Sequence, residues 1–224
     1  MTTLALLHTG NVVIKPTNDI IKSLMPGVRI INFLDDAIVA DISAATEITD
    51  AIRRRLIHLG RCAAEAKADA LVVTCSSISE MVPTISEACG LPVYKIDEAM
   101  AIQAVRLGTR IGVLASLPTT MEPTCRLIES MARLTGKSIV IRKELAHEAF
   151  KQLLQGNPAE HDRILREALE KLATTEEVIV LAQASMARVL ESPSLKLAVP
   201  VLVSPALGLQ LVKEKLVERG LEVE

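Results

Sequence analysis

The sequence predicts an α/β protein of two similar lobes, each built on a mainly parallel sheet. Three observations lead there. Short β-branched runs alternate with longer amphipathic stretches along all 224 residues, the pattern of repeated βαβ units. Several of the short runs are almost wholly apolar, as strands covered by helices on both faces must be. Finally, the pattern begins again near the middle. Residues 71–74 lead into a Thr-Cys-Ser-Ser turn, and 178–181 lead into Ala182-Gln183-Ala184-Ser185. Likewise 4–7 lead into His8-Thr9-Gly10-Asn11, and 111–114 into Ala115-Ser116-Leu117-Pro118-Thr119-Thr120. This is a weak symmetry of pattern rather than a sequence repeat. It suggests two lobes facing each other across one cleft.

In chain order, strands are expected at 3–7, 29–33, 70–73 and 93–96 in the first half, and at 110–114, 138–141, 178–181 and 199–202 in the second. Each is a short Val, Ile or Leu run bounded by polar or turn-forming residues. Amphipathic periodicity predicts helices over 43–66, 99–107, 120–134, 160–173 and 206–219, with a further helix starting near Ser77 to Ser79. Gly90 and Gly220 stand where helices should stop, and Pro158 and Pro205 where they should start. The expected division is a first lobe of 1–97 with 207–224, and a second of 98–206.

Composition narrows the function. The chain has no Trp, one Tyr and two Phe, so its core is aliphatic and it lacks rings on which bases or flat cofactors stack. A formal charge of -2 carries no electrostatic footprint for nucleic acid. The one tight basic cluster, Arg53-Arg54-Arg55, lies in a helical pattern and reads as a solvated face. No apolar run is long enough to cross a membrane, and with no secretory leader a cytoplasmic protein is expected. Neither GxGxxG nor GxxxxGK[ST] occurs, so dinucleotide or NTP use lacks its usual signal. The four cysteines show no metal-ligand spacing.

Cys75 carries the chemistry. It lies just beyond the 70–73 strand, at the carboxyl end where α/β sheets bind ligands, among small hydroxyl residues. A following helix would aim free amides and its positive dipole end at the sulfur, lowering the thiol pKa. Cys62, Cys89 and Cys125 lie in helical stretches and read as small core residues. His58 reads as a surface residue, and His147-Glu148 and His161-Asp162 as structural. Asp35-Asp36 suits a turn or cap. Asp97-Glu98 suits a cap for the helix at 99–107, although paired acids also invite acid–base work.

The chain resembles the aspartate/glutamate racemase superfamily, especially its aspartate- and hydantoin-racemase-like branch. The resemblance spans nearly the whole length. It rests on His8-Thr9, Asp35-Asp36, Val73-Thr74-Cys75-Ser76-Ser77, Leu91-Pro92-Val93 leading into Ile96-Asp97-Glu98-Ala99-Met100, Ile111-Gly112-Val113-Leu114-Ala115, Pro118-Thr119-Thr120, His161-Asp162 and Val180-Leu181-Ala182-Gln183-Ala184-Ser185-Met186. Membership implies two pseudo-symmetric Rossmann-like α/β lobes with an interlobe active-site cleft, no cofactor and no metal. Typical members place one cysteine on each side of the substrate. One thiolate takes the proton beside a carboxylate or carbonyl, and the opposite thiol returns one to the other face. Cys75 matches the first cysteine, but Gln183 stands where the second is expected, and an amide exchanges no proton near neutral pH. By the same resemblance His8, Thr9, Asn11, Thr74, Ser76, Ser77, Thr119, Thr120, Gln183, Ala184 and Ser185 are expected to bind substrate.

The leading expectation is thus an isomerase-superfamily enzyme that acts on a small carboxylate (an amino acid, hydantoin or dicarboxylate) through Cys75 alone. One-sided reactions, as in the family's decarboxylase and maleate cis–trans isomerase, fit better than racemisation. A second reading keeps racemisation, with His8 supplying the other proton. A third is a binding protein that kept the site and lost the reaction. A homo-oligomer, such as a dimer, is expected.

Overall fold

The structure, a computed structural model, describes residues 1–192 and 195–224. These fall into two compact units, Met1–Glu98 with Pro205–Glu224, and Ala99–Ser204.

The first unit holds strands β1 (Thr3–His8), β2 (Arg29–Leu34), β3 (Ala70–Val73) and β4 (Val93–Lys95), all parallel, in the order β2-β1-β3-β4. β1 and β3 are buried along their whole length, which is why they are continuous apolar runs. Helices α2 (Ile38–Ala45), α3 (Asp50–Glu65) and α4 (Val82–Cys89) cover one face, with Ile38, Ile52, Leu56 and Ile85 packed on Leu7, Leu71 and Val73. On the other face α1 (Ile14–Leu24) supplies Ile21, and α9 (Ser204–Glu218), from the end of the chain, supplies Leu209, Val212 and Leu216.

The second unit repeats the plan with α5 (Glu98–Leu107), β5 (Arg110–Ala115), α6 (Pro118–Leu134), β6 (Val140–Leu145), α7 (His147–Leu154), α8 (Pro158–Ala173), β7 (Val178–Leu181) and β8 (Val201–Val203). Its sheet is again parallel, in the order β6-β5-β7-β8.

The likeness extends to single hydrogen bonds. Asp69, just before β3, accepts from the Thr3 amide at 2.7 Å. Glu177, just before β7, accepts from the amides of Thr109 at 2.6 Å and Arg110 at 3.1 Å, and those bonds hold its carboxyl down at about 2. At the amino ends of the second strand pairs, the carbonyls of Pro92 and Pro200 accept from Leu71 and Ile179. At the carboxyl ends Thr74 donates to the Leu7 carbonyl, and Ala182 to that of Leu114.

Several expected elements shift. The long helix predicted over 43–66 is two helices, because Thr46 turns left-handed (φ 60°) and the Thr49 hydroxyl caps a new start by accepting from the Ile52 amide at 3.3 Å. The strand predicted at 138–141 runs instead through Val140–Leu145, where Arg142, Lys143 and Glu144 suit a sheet edge. The last strand begins at Val201, since Pro200 has no amide to give the ladder. Helix α1 was not anticipated. Arg55 is not merely a solvated charge: its guanidinium bridges Asp35 and Asp41, tying α3 to the turn after β2.

Candidate active site

In the first unit, His8, Thr9, Thr74, Cys75, Ser76 and Ser77 gather at the carboxyl ends of β1 and β3. His8 is the last residue of β1, fully buried, with its Nε2 2.9 Å from Asn32 Oδ1 and its Nδ1 2.8 Å from the Thr74 hydroxyl. Burial pushes its pKa below the ordinary 6.5, against the pull of the Asn32 bond. The neutral ring then donates from Nε2 to the Asn32 oxygen, a tautomer assigned from the partner's chemistry, and Nδ1 lies beside the Thr74 hydroxyl. The Thr74 hydroxyl donates its proton to the Leu7 carbonyl at 3.0 Å, so it locks the ends of two strands together. With both nitrogens engaged and no exposed surface, His8 has the geometry of a structural histidine.

Cys75 follows in extended conformation (φ -131°, ψ 122°) and is half-buried. The expectation of an acidified thiol is not met. Burial pushes its pKa up, and the negative Asp97 acts in the same direction. The Thr9 hydroxyl and the amide and hydroxyl of Ser77 only partly offset this. The reason lies in the next segment. Ser76–Met81 is a short 3-10 turn, and α4 begins only at Val82, so no α-helical amino terminus stands directly at the sulfur. The Ser79 hydroxyl donates to the Ser76 carbonyl at 3.2 Å and holds this turn. Asn11 is exposed at the start of another 3-10 turn, Asn11–Val13.

Asp97 lies two residues past β4. It is fully buried, and neither carboxylate oxygen has a hydrogen-bond partner. It is therefore not the side-chain cap expected for α5. Burial raises its pKa; the Ser76 hydroxyl is close enough to favour the charged form, though not placed for a normal hydrogen bond.

The second unit places Gln183, Ala184 and Ser185 after β7, and Thr119 and Thr120 in the first turn of α6 after β5. Gln183 is extended like Cys75 (φ -135°, ψ 133°), and both precede a 3-10 turn. Its Oε1 accepts from the Ser116 amide at 2.7 Å and from the Ser116 hydroxyl at 3.0 Å. An amide N–H can only donate, so the oxygen is fixed there and Nε2, on a half-buried residue, is the end left open. Ser116 was missed from sequence. The signal was its register: it follows β5 as Thr9 follows β1. The Thr120 hydroxyl donates to the Leu117 carbonyl at 2.9 Å, whereas buried Thr119 Oγ1 has no partner.

The remaining candidates lie apart from this chemistry. His58 and His147 are exposed. His161 is buried against Asp162 at 2.8 Å, and Asp162 in turn pairs with Arg188, a structural cluster at the start of α8. Among the described residues no group of three or more His, Cys, Asp or Glu is placed to hold a metal ion, and no helix is long and apolar enough to cross a membrane.

Comparison with known proteins agrees with this architecture. The aspartate racemase of Picrophilus torridus superposes with a TM-score of 0.74 at 13% identity, over 96% of this chain and 94% of its own. The glutamate racemase of Bacillus anthracis gives 0.70 at 16%, over 100% and 84%. The allantoin racemase of Klebsiella pneumoniae gives 0.67 at 17%, over 100% and 91%. At such identities these likenesses speak for the fold. No curated protein matches the sequence. The sequence model of Asp/Glu/Hydantoin racemase matches residues 9–212, which is nearly the whole chain. With two parallel four-stranded sheets of one topology and a family match of this extent, the chain belongs to the Asp/Glu/hydantoin racemase family, whose racemases are isomerases.

Proposed function

We propose that this protein is a cofactor-independent enzyme acting on a small carboxylate (an amino acid, a hydantoin or a dicarboxylate) through a single thiol, Cys75, from one face of the substrate. The observation that carries the reading is the pinned amide of Gln183. Ser116 holds Oε1 at 2.7 and 3.0 Å, so the residue at the second cysteine's place offers N–H donors and no exchangeable proton. Such a donor suits a substrate carboxylate, or the enediolate formed when the neighbouring carbon loses a proton.

In this mechanism the Cys75 thiolate removes the proton next to the carboxylate, and negative charge moves onto the carboxylate oxygens. Gln183 Nε2 and the unpartnered Thr119 hydroxyl stabilise those oxygens. Return of a proton by the Cys75 thiol to the same face regenerates the starting acid, so this step alone gives solvent exchange. Turnover requires that a group leave or a double bond rearrange. Decarboxylation, with Cys75 protonating the resulting carbanion, and cis–trans isomerisation, with the sulfur adding to a double bond, draw on the same single thiol. The remaining expected residues, Thr9, Asn11, Ser76, Ser77, Ala184 and Ser185, belong to substrate binding in this reading. His8 does not supply a second proton, since both ring nitrogens are committed to Asn32 and Thr74.

The test is turnover of a panel of amino acids, dicarboxylates and hydantoins by the protein and by Cys75→Ala. Loss of activity is expected in the variant. Unchanged turnover would remove Cys75 from the mechanism, and binding without turnover across the panel would identify a binding protein. A cytoplasmic homodimer is part of the same proposal, supported by exposed apolar residues such as Leu134 and Val140. Light scattering on the eluted protein checks the dimer.

A further inference from the structure

We propose that Arg188 and Asp162 form an ion-pair brace that sets the place of Gln183, which makes both of them positioning residues for the reaction. The inference rests on Gln183 meeting the substrate, and it deepens that reading.

Gln183 stands at the head of the 3-10 segment Ala184–Glu191, as Cys75 stands at the head of Ser76–Met81. A 3-10 helix has three residues per turn, so residues three apart lie over one another on one face. The face that continues Cys75 holds Ile78 and Met81, and the face that continues Gln183 holds Met186 and Val189. All four are buried in the core of their own unit. Both segments also close their first step alike. The Ile78 amide donates to the Cys75 carbonyl at 3.2 Å, and the Met186 amide to the Gln183 carbonyl at 3.1 Å.

The two segments differ in what else holds them. In the first unit the Ser79 hydroxyl closes the turn from within, on the Ser76 carbonyl. From α3, Arg53 Nη1 reaches the Met81 sulfur at 3.4 Å, a weak acceptor. The counterpart of Ser79 is Ala187, which has no hydroxyl to give. The second unit holds its segment from outside instead. Arg188, on the face of Ser185 one turn earlier, donates from Nη2 to Asp162 Oδ1 at 2.8 Å and to the Pro158 carbonyl at 3.3 Å. Both acceptors belong to the start of α8, which packs on the same core through Leu165 and Leu169.

Asp162 is itself fixed. Buried His161 brings Nδ1 to 2.8 Å from the same Oδ1, and a carboxylate only accepts, so the imidazole donates. Burial works to raise the Asp162 pKa, but the bonds from Arg188 and His161 outweigh it and hold the carboxyl below its ordinary 3.8.

Ser116 fixes the far end of the Gln183 side chain, and the brace fixes the segment at its root. Together they set where Nε2 points, and hydrogen bonds weaken steeply with misalignment. Arg188 is half-exposed, and ion pairs of this kind add little to overall stability. Loss of the brace therefore displaces Gln183 without unfolding the protein.

The experiment follows the Gln183 side-chain NH₂ by nitrogen-15 NMR, its signals identified by their absence from Gln183→Ala. In Arg188→Gln and in Asp162→Asn they are expected to shift or broaden alike, with the thermal unfolding midpoint kept. Arg163→Gln, which removes an exposed arginine paired with Glu160 and Glu167 on the same helix, should leave them in place. Signals unmoved in both R188Q and D162N would overturn the brace, as would equal displacement by R163Q. Failure of both variants to fold would also overturn it, since the pair would then support the whole unit. On an accepted substrate, R188Q should raise KM about tenfold with kcat kept, and should add nothing in the Gln183→Ala background. Additive effects there would contradict action through Gln183. The NMR readout uses no substrate, so its failure is distinct from failure of the turnover assay.

Discussion

The two units share a backbone and differ in what they hang on it. Counting by register, His8, Thr9, Thr74 and Cys75 of the first correspond to Ala115, Ser116, Ala182 and Gln183 of the second. The first unit thus carries a buried imidazole, a hydroxyl clamp and a thiol where the second carries two alanines and an amide. Only the hydroxyl beside the central residue is kept, as Thr9 near the sulfur and Ser116 on the amide. At these matched positions the first unit holds the titratable side chains, and the second holds an amide. On the proposed mechanism, one position serves as the reacting group and its counterpart as a binding group.

The sharpest way to break that contrast is to remove its reactive member. Cys75→Ala should lower turnover by about 10²–10⁴-fold, as loss of a positioned acid–base does, with an unchanged thermal unfolding midpoint. Turning the second unit into the first is the next test. Gln183→Cys should add a racemising activity, seen by chiral chromatography, because it sets a thiol on the register of Cys75. Gln183→Ala should instead raise KM about 10- to 100-fold, the range expected for a lost hydrogen bond to a charged group.

The clamp offers a comparison in stability. Thr74→Val should cost about 1–3 kcal/mol in denaturant unfolding, because it removes the buried hydroxyl that bonds the Leu7 carbonyl beside His8 Nδ1. Ala182 at the matching place shows that the backbone itself does not need the hydroxyl. The smallest effect is on pH dependence. Burial holds His8 below its ordinary 6.5, so the folded state resists protonation. That contribution is intact above about pH 6.5 and is lost as pH falls from there toward the folded value. Asp97 has the opposite sign. Its raised pKa makes its contribution full below the ordinary 3.8 and lost as pH rises through the folded value. His8→Gln should flatten the fall of the stability profile below about pH 6.5, and Asp97→Asn its fall above pH 3.8.

Much of this was legible in the sequence because its strongest signals are local. Apolar runs such as Leu4–Leu7 and Val178–Leu181 mark buried parallel strands, and the small polar residues after them mark the functional ends. What escaped depends on contacts between distant segments. The break at Thr46 lies inside an otherwise helical pattern, and only Thr49 hinted at the second start. A helix dipole at Cys75 needs an α-helix where the chain forms a 3-10 turn, and burial of the sulfur is not written in its local run. Ser116 acquires meaning only through register, which no local motif announces. Arg55 looked solvated because Asp35 and Asp41 lie far from it along the chain.

The most direct test of the central contrast is proton exchange in deuterated water on an accepted substrate, read by NMR at the α-carbon with chiral analysis of the same sample. The account predicts deuterium incorporation with retained configuration, since protons leave and return on the side of Cys75. Racemisation by the unmodified protein, in step with exchange, would contradict it.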